Sequence, residues 1–522
     1  MKRKTMISIL ISILIVGSLA ACTSNSTSSG PSSGTEKTNE KLNIALTANP
    51  SSLDPHIGSQ IVTGTIALHM AETLLTYDKD YKVVPLLAES IDISKDGKTI
   101  TFPLRKEVKF HNGKALTADD VIASLTRWGK LAITGRGAMN GVKMEAPDEN
   151  TVVMKLPKPS ITILYDLAYP SSLGPYIYPK EVLDKAGDNV MTEYIGTGPY
   201  KFVDWKKEQY VHLTKYDDYK SPAGETSGLT GKKEANVKDL YFRFVPDPTT
   251  RLNGIKSGEY DFVEGMPQDQ YSQLKDDPNL SVQVLKPYLD DSLVFNNKEG
   301  FFSNIKARQA VAAAMNMDEI MLGAAEHKDF YQVTPGLIQQ QPAEWYTDKG
   351  KEFFNQNNPE KAKELLKEAG YNGETITILT TKDYSSMYNT SLMIQEQLEK
   401  IGMKVKLDVY DFPTMLAMRS KSKWNAHMTG FAPPPEPTQI FFLDSRNQHA
   451  AGYANPEMDK LMDQIRYAPT KEEAIAAWEK AQQLYWKDVP TIKFGDTFGF
   501  NVMQKNMNVV SAFGITTFWN VK

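Results

Sequence analysis

Trp424 to Ser445, WNAHMTGFAPPPEPTQIFFLDS, places the tightest constraint on how this chain can fold. Trp424, Ala426 and Met428 alternate with Asn425, His427 and Thr429, the period of a strand with one buried face. Pro433, Pro434 and Pro435 follow, and each fixes φ and removes a backbone donor, so the strand ends at a stiff corner. Glu436 stands on that corner, ahead of Pro437 and the apolar run Ile440, Phe441, Phe442, Leu443. Two readings are open on these residues alone. One is a rigid surface loop between core elements; the other is a strand end presenting aromatic and acidic groups to a ligand.

The N-terminus speaks to the compartment. Lys2, Arg3 and Lys4 precede the apolar run Met6 to Val16, which is short for a bilayer span, and Leu19-Ala20-Ala21 leads into Cys22. Cys22 is the single cysteine of the 522 residues, so a secreted form has no internal disulfide and the thiol has another use. The arrangement resembles a bacterial lipobox. That implies a lipoprotein signal peptide over residues 1–21, cleavage before Cys22, a diacylglyceryl thioether of the palmitate type on its sulfur, and attachment to the outer face of the cell membrane. Residues 22–40 then form a lipid-anchored flexible linker. Its stretch Thr23 to Glu40 offers no side chain to a core, and as a coil its eighteen residues reach about 23 Å. Removing residues 1–21 moves the net charge from −4 to −7, which disfavours nucleic acid as a partner.

From Lys41 onward the chain is longer than one hydrophobic core usually grows, so two or three lobes are expected. Leu42 to Leu46 reads as a short strand, and Asn49 to Pro55 as a corner stiffened by two prolines. Ile66 to Leu75 reads as a buried helix, and Val108 to Phe110 as a strand running into an Asn-Gly turn. Thr117 with Asp120, and Thr470 with Glu473, form capping boxes; Asp247 and Asn358 stand as N-caps before prolines. A helix ending at Gly402 is followed by the alternating Val405, Leu407 and Val409, the helix-to-strand order of an α/β lobe.

Several of these segments, in order, are similar to one family. Leu86-Leu87-Ala88-Glu89-Ser90, Asp96-Gly97-Lys98-Thr99, Phe102 to Gly113, and Thr117-Ala118-Asp119-Asp120-Val121 resemble the defining segment of the family 5 extracellular solute-binding proteins, the oligopeptide, dipeptide and nickel receptors of ABC importers. Gly196 to Tyr200, Val245 to Arg251 and Phe295-Asn296-Asn297 extend the resemblance over essentially all of Lys41 to Lys522. It implies an α/β fold of the type II periplasmic-binding-protein kind, with two lobes joined by two hinge crossovers and an extra subdomain on lobe one. Carried onto this chain, lobe one covers 41–55, 196–290 and 495–522, the inserted subdomain 56–195, and lobe two 291–494. Ligand binding closes such lobes by hinge bending.

Signals of catalysis are weak. No two of the seven histidines share a metal-ligand spacing, and Gly135-Arg136-Gly137 and Gly196-Thr197-Gly198 lack the rest of a phosphate loop. Ser420-Lys421-Ser422-Lys423 reads as solvated charge. The expectation is a binding protein, no enzyme, with no cofactor and no metal.

The family resemblance implies three binding devices. An early extended segment, here Ala48 to Leu53 with Asn49 at the corner, pairs with the ligand backbone; Asn49 is equally a turn former. An aspartate three residues before the acidic-proline dipeptide takes the ligand's amine; here that dipeptide is Glu436-Pro437 and the position holds Pro433, so Glu436 or another acid must serve. A basic group takes the ligand carboxylate, and Lys382 falls near that position, with an exposed loop lysine as the other reading. Phe431, Tyr384, Tyr388 and Trp424 are candidate walls, Trp424 equally a core residue. The reading is a monomeric, lipid-anchored receptor handing a peptide or peptide-like solute to an ABC permease and its ATPase subunits. Its alternatives are a receptor for a nickel chelate, opine or sugar-phosphate conjugate, and a sensory lipoprotein.

Overall fold

One strand of 16 residues, Leu280–Phe295, runs through both halves of a 12-stranded sheet. The structure is a computed structural model that describes residues 40–521 apart from 171, 326, 341, 342, 422, 432, 433 and 513. The leader, Cys22, the tether up to residue 39, and Pro433 lie outside the described residues.

In chain order the sheet contains β1 (Lys41–Leu46), β2 (Tyr200–Lys206), β3 (Tyr210–Lys215), β4 (Asp239–Phe244), β5 (Phe262–Val263) and the long strand, β6. It continues with β7 (Tyr331–Gln332), β8 (Thr375–Thr381), β9 (Lys404–Tyr410), β10 (Ala426–Phe431), β11 (Thr491–Lys493) and β12 (Asp496–Gln504). The strand order is β9-β8-β10-β6-β12-β5-β1-β4-β3-β2, with β11 also on β6 and β7 on β12. The half built on β1 belongs to the first lobe and the half built on β8 to the second.

β6 makes one passage between them. From Leu280 to Leu285 it pairs antiparallel with β12, its register shifts before Leu289, and from Asp290 to Phe295 it pairs with β10. The return passage runs from β11 through Gly495 into β12. A Cβ at Gly495 would lie 2.5 Å from the main-chain oxygen of Gln332, so a bare backbone is needed there. The chain is thus a two-lobe α/β protein with a further sheet-and-helix subdomain, a four-stranded sheet over Asp92–Ile93, Thr99–Pro103, Lys143–Asp148 and Thr151–Lys155.

The helices that position the site are α1 (Ile61–Met70), α2 (Ala118–Leu131), α3 (Ile133–Ala138), α4 (Ile163–Ala168), α5 (Ser385–Lys400), α6 (Phe412–Lys421), α7 (Pro456–Arg466) and α8 (Lys471–Asp488). Their ends follow local chemistry. Asp120 reaches back to the Thr117 N–H at 3.0 Å, and Thr470 accepts from the Glu473 N–H at 3.2 Å. The buried helix starts at Ile61 and ends at Met70, earlier than its apolar run, and Leu75–Tyr77 is a strand. The stop has a cause: Gly198 donates its N–H to the Met70 oxygen at 2.8 Å, and a Cβ at Gly196 would sit 2.1 Å from that oxygen. Around Val108 to Phe110 there is an isolated bridge, Lys109 to Ala115, in place of a strand.

Buried side chains gather in separate cores. Leu293, Phe295, Ile378 and Met428 pack with Ile394, Leu398 and Trp478 in the second lobe. Ile44, Leu240, Phe242 and Trp519 fill the first lobe, and Phe102, Leu125, Trp128 and Met154 the subdomain. Each large side chain removed from water contributes about 1.5–3 kcal/mol. One buried ion pair fixes the early corner. Arg127 grips Asp54 with both ends of its guanidinium, at 2.7 and 3.2 Å, and the same carboxylate accepts from the N–H groups of His56 and Met191. That pins the Asn49 to Pro55 turn to α2 and presents residues 57–61 to the second lobe.

Candidate functional site

A cavity of about 360 Å³ lies between the second lobe and the part of the chain that carries Ile57 to Ile61, Ile133, Tyr169 and Leu173. Its floor is one face of the sheet. Asp290 pairs with Phe431, Ser292 with Thr429 and Lys493, and Val294 with His427 and Thr491. A strand turns alternate side chains to opposite faces, so Asp290, Ser292, His427, Thr429, Phe431 and Lys493 line the cavity. Leu293, Met428 and Ile492 point the other way into the core. The floor is largely polar while the walls are apolar: Ile57, Ile61, Ile133 and Leu173 from one side, Tyr384, Met387, Phe412 and Leu416 from the other. A mostly apolar pocket with a few placed polar groups suits a small ligand.

Charges on the floor are concentrated at two places. Lys493 lies 2.5 Å from Asp496 and 3.4 Å from Asp290, and donates to the Gly336 oxygen at 2.6 Å. Burial pushes the Asp290 carboxyl well above its ordinary value, opposed by Lys493 and reinforced by Asp496. A hydrogen bond between the Asp290 and Asp496 carboxyls adds to that rise. At the other place stand Arg419, His427 and His449. Burial, then the Arg419 charge, holds the His427 imidazole well below its usual value, and the same two causes bring His449 down to about 3. His427 Nδ1 meets the Met428 oxygen at 3.2 Å, and Nε2 is buried without a partner among the described residues.

The sequence-selected residues are divided by the fold. Tyr384 and Phe431 line the cavity, Tyr384 edge-on to Phe412 at 5.2 Å, and Phe431 against Phe442 at 5.2 Å. Lys382 and Tyr384 also line a smaller interlobe recess of about 70 Å³, with Arg251, Gln268 and Phe498. Lys382 is exposed, its ammonium 4.7 Å from the Tyr388 ring centre, and neither borders the main cavity. Asn49 also stays off the lining; its carbonyl accepts from Gln60 Nε2 at 3.2 Å, so it holds a residue that does line it. Glu436 is fully buried outside the cavity, capping the Pro437–Gln439 turn by accepting from Thr438 N at 2.9 Å and Thr438 Oγ at 2.6 Å. Trp424 is a core residue whose indole donates to the Arg419 oxygen at 2.8 Å.

Asp290, Lys493, Arg419 and Gln60 were not singled out from the sequence. The acidic pair Asp290-Asp291 inside an apolar strand was a readable signal, because a buried carboxylate needs a reason. Arg419 had none, since it follows Met418 on a helix of ordinary composition.

Two lobes that share two strand crossings, with a cleft against the second lobe, have the architecture of a solute-binding protein of the periplasmic type. The model of the family described as "Bacterial extracellular solute-binding proteins, family 5 Middle" matches residues 82–451, and the chain belongs to that family. A probable peptide ABC transporter periplasmic-binding protein of Sinorhizobium fredii is 27% identical over 496 residues, covering 91% of this chain and 92% of its own. The glutathione-binding protein GsiB of Pectobacterium atrosepticum is 28% identical over 476 residues, covering 86% and 87%. Among solved structures, AgaA of A. tumefaciens R10 in complex with agropinic acid superposes with a TM-score of 0.80 at 28% identity, covering 90% of this chain and 94% of that one. The dipeptide-binding protein of Pseudoalteromonas with Met-Leu reaches 0.80 at 21% identity, covering 91% and 98%, and shows the shared fold. The family is extracytoplasmic, and among the described residues no helix is long and apolar enough to cross a membrane.

Proposed function

We propose that this protein captures a short peptide or peptide-like solute between its lobes and delivers it to the permease of an ABC importer. The observation that carries the reading is the interlobe cavity, with a polar sheet floor for main-chain and terminal groups and apolar walls for side chains. The peptide and glutathione receptors among its relatives support the ligand class. Lobe one is assigned to 41–55, 196–290 and 495–522, the subdomain to 56–195, and lobe two to 291–494; the second lobe's own buried core supports its separation, while the first lobe's core also takes in Val62, Ile66, Tyr176 and Tyr178. The protein acts as a monomeric receptor, not an enzyme: binding energy closes the lobes, and partner subunits hydrolyse ATP. Lipid on Cys22 tethers it to the outer face of the membrane, as the Leu19 to Cys22 sequence supports.

The test is a thermal-shift panel of di- to pentapeptides, glutathione, agropinic acid and a nickel–histidine chelate on the purified protein. Peptides raising the melting temperature support the reading. Failure of every peptide while a non-peptide class stabilises the protein overturns it. Turnover of the stabilising ligand would overturn the receptor role. Incorporation of labelled palmitate, lost in Cys22→Ser, tests the anchor.

A further inference from the structure

Gln60 stands at the N-terminal cap of α1, yet its side chain makes no capping bond to the helix. It reaches the other way. Its Oε1 accepts from the Ser51 N–H at 2.5 Å and its Nε2 donates to the Asn49 oxygen at 3.2 Å, so both ends of the amide are engaged by the early corner. The partners fix which end is which, since only the nitrogen donates and only the oxygen accepts. In a parallel ladder, one residue donates its N–H to a carbonyl of the neighbouring strand and accepts from the N–H two residues further along. Asn49 and Ser51 offer that pair, and the Gln60 amide takes both. Thr63, inside the first turn of the helix, does the same one residue on: its Oγ1 donates to the Ser52 oxygen at 2.7 Å. The start of α1 thus satisfies main-chain groups from Asn49 to Ser52 with its own side chains. Gln60 is 4% exposed and lines the main cavity, whereas among the described residues none of 48–53 does. Thr47 borders the smaller recess, and Tyr384 borders both. The amide is therefore the wall between the cavity and that edge.

We propose that Gln60 is a specificity-determining residue: its amide stands in for a ligand's peptide unit on the Asn49–Ser51 edge, and the receptor therefore takes a compact peptide-like solute rather than an extended peptide added as a strand. This rests on the receptor reading above and narrows the class of solute. Strand addition gains affinity through main-chain hydrogen bonds. Here each such bond to Asn49 or Ser51 replaces one that the protein already makes, so it contributes almost nothing net. The displaced amide must also find new partners or stay buried without them, which is unfavourable. A solute that remains on the cavity side of Gln60 meets neither cost. The space agrees, because about 360 Å³ is near the small end of the roughly 300–1,000 Å³ usual for ligand pockets. The extended segment that the family resemblance assigns to the ligand backbone is present in this chain, with its main chain occupied by the protein itself.

Amide hydrogen exchange on the full chain reads the closed edge without any ligand. The Ser51 N–H should exchange about tenfold more slowly in the wild type than in Gln60→Ala, with β6 unchanged between the two as the folding control; equal rates overturn the inference. Titration calorimetry with trialanine, and with trialanine N-methylated at either peptide bond, reads the selectivity. The wild type should bind all three within about threefold, because no ligand N–H goes to Asn49. Gln60→Ala should bind the parent peptide roughly threefold to tenfold more tightly than the wild type does, with the gain lost in one of the N-methyl forms. A wild type that loses tenfold or more on methylation overturns the inference and leaves the peptide reading intact. So does a Gln60→Ala variant that weakens all three alike, which would make Gln60 a brace for the corner only. If the wild type binds no peptide and Gln60→Ala binds trialanine, the peptide reading falls and the filter stands. If neither binds a peptide, the reading falls, and the Ser51 exchange rates alone decide the filter.

Discussion

Arg136 donates Nη1 to the main-chain oxygen of Asn447 at 3.1 Å, joining α3 to the second lobe across the mouth of the cleft. Gly137 follows, and a Cβ there would come within 3.0 Å of Arg466 Nη2 and 3.4 Å of Asn447 Oδ1. The subdomain's stretch and the second lobe therefore touch through a hydrogen bond and a close backbone approach.

Arg136→Ala should weaken ligand retention by about 0.5–1.5 kcal/mol, the usual net worth of one such bond. The loss should fall on dissociation, because the contact forms after the ligand is between the lobes. Stopped-flow dissociation of a bound peptide measures it, and an unchanged off-rate with a slower on-rate would contradict the latch.

The Arg127–Asp54 pair carries a second prediction. Arg127→Met leaves the Asp54 carboxylate buried without its counter-charge, so unfolding stability should drop by about 3–5 kcal/mol. Affinity should fall with it, since this corner positions Gln60 and Ile61. Adding Asp54→Asn to Arg127→Met should recover most of the stability; a urea titration of the single and double variants reads both effects.

Gly495→Ala places a methyl group 2.5 Å from the Gln332 main-chain oxygen and 3.1 Å from Met321 Cε. Backbone on one side cannot yield as a flexible side chain can, so roughly 1–3 kcal/mol of destabilisation is expected. A thermal melt with no change would mean that the crossing has room it does not show.

Glu436 gives stability a pH dependence of definite sign. Burial raises its carboxyl from 4.5 to about 7, and Asp166 of α4, raised by burial and by Glu436, shares the site with Arg466, Tyr77 and Tyr165. The folded state therefore keeps a proton that the unfolded chain has lost between about pH 4.5 and 7. The associated stability is fully present below the unfolded value and is lost as pH rises through the folded one. Glu436→Gln should raise the melting temperature at pH 8, leave it nearly unchanged at pH 4, and flatten the slope between. A wild-type melting profile identical in slope to the variant would refute the assignment.

Much of the scaffold is legible in the chain because its signals are local. The caps at Thr117, Asp247, Asn358 and Thr470 satisfy backbone groups within three residues, so spacing alone reveals them. The alternation from Trp424 finds a strand, although the strand itself begins at Ala426 and the Trp424 indole bonds the Arg419 oxygen. The end of α1 is not legible, since it is set by Gly196 and Gly198, more than a hundred residues away. The floor escapes for the same reason. Asp290, Thr429 and Lys493 become neighbours only through pairings that join β6, β10 and β11, and Arg419 reaches the cavity only through the placement of α6.

The long strand β6 has a mechanical consequence. Its register slips between Leu285 and Leu289, and Asp290 is the next residue. The cavity floor is therefore continuous with the strand that passes between the two halves of the sheet. A displacement of Asp290 is carried along β6 into its pairing with β10, so it acts on the sheet of the second lobe rather than on a loop.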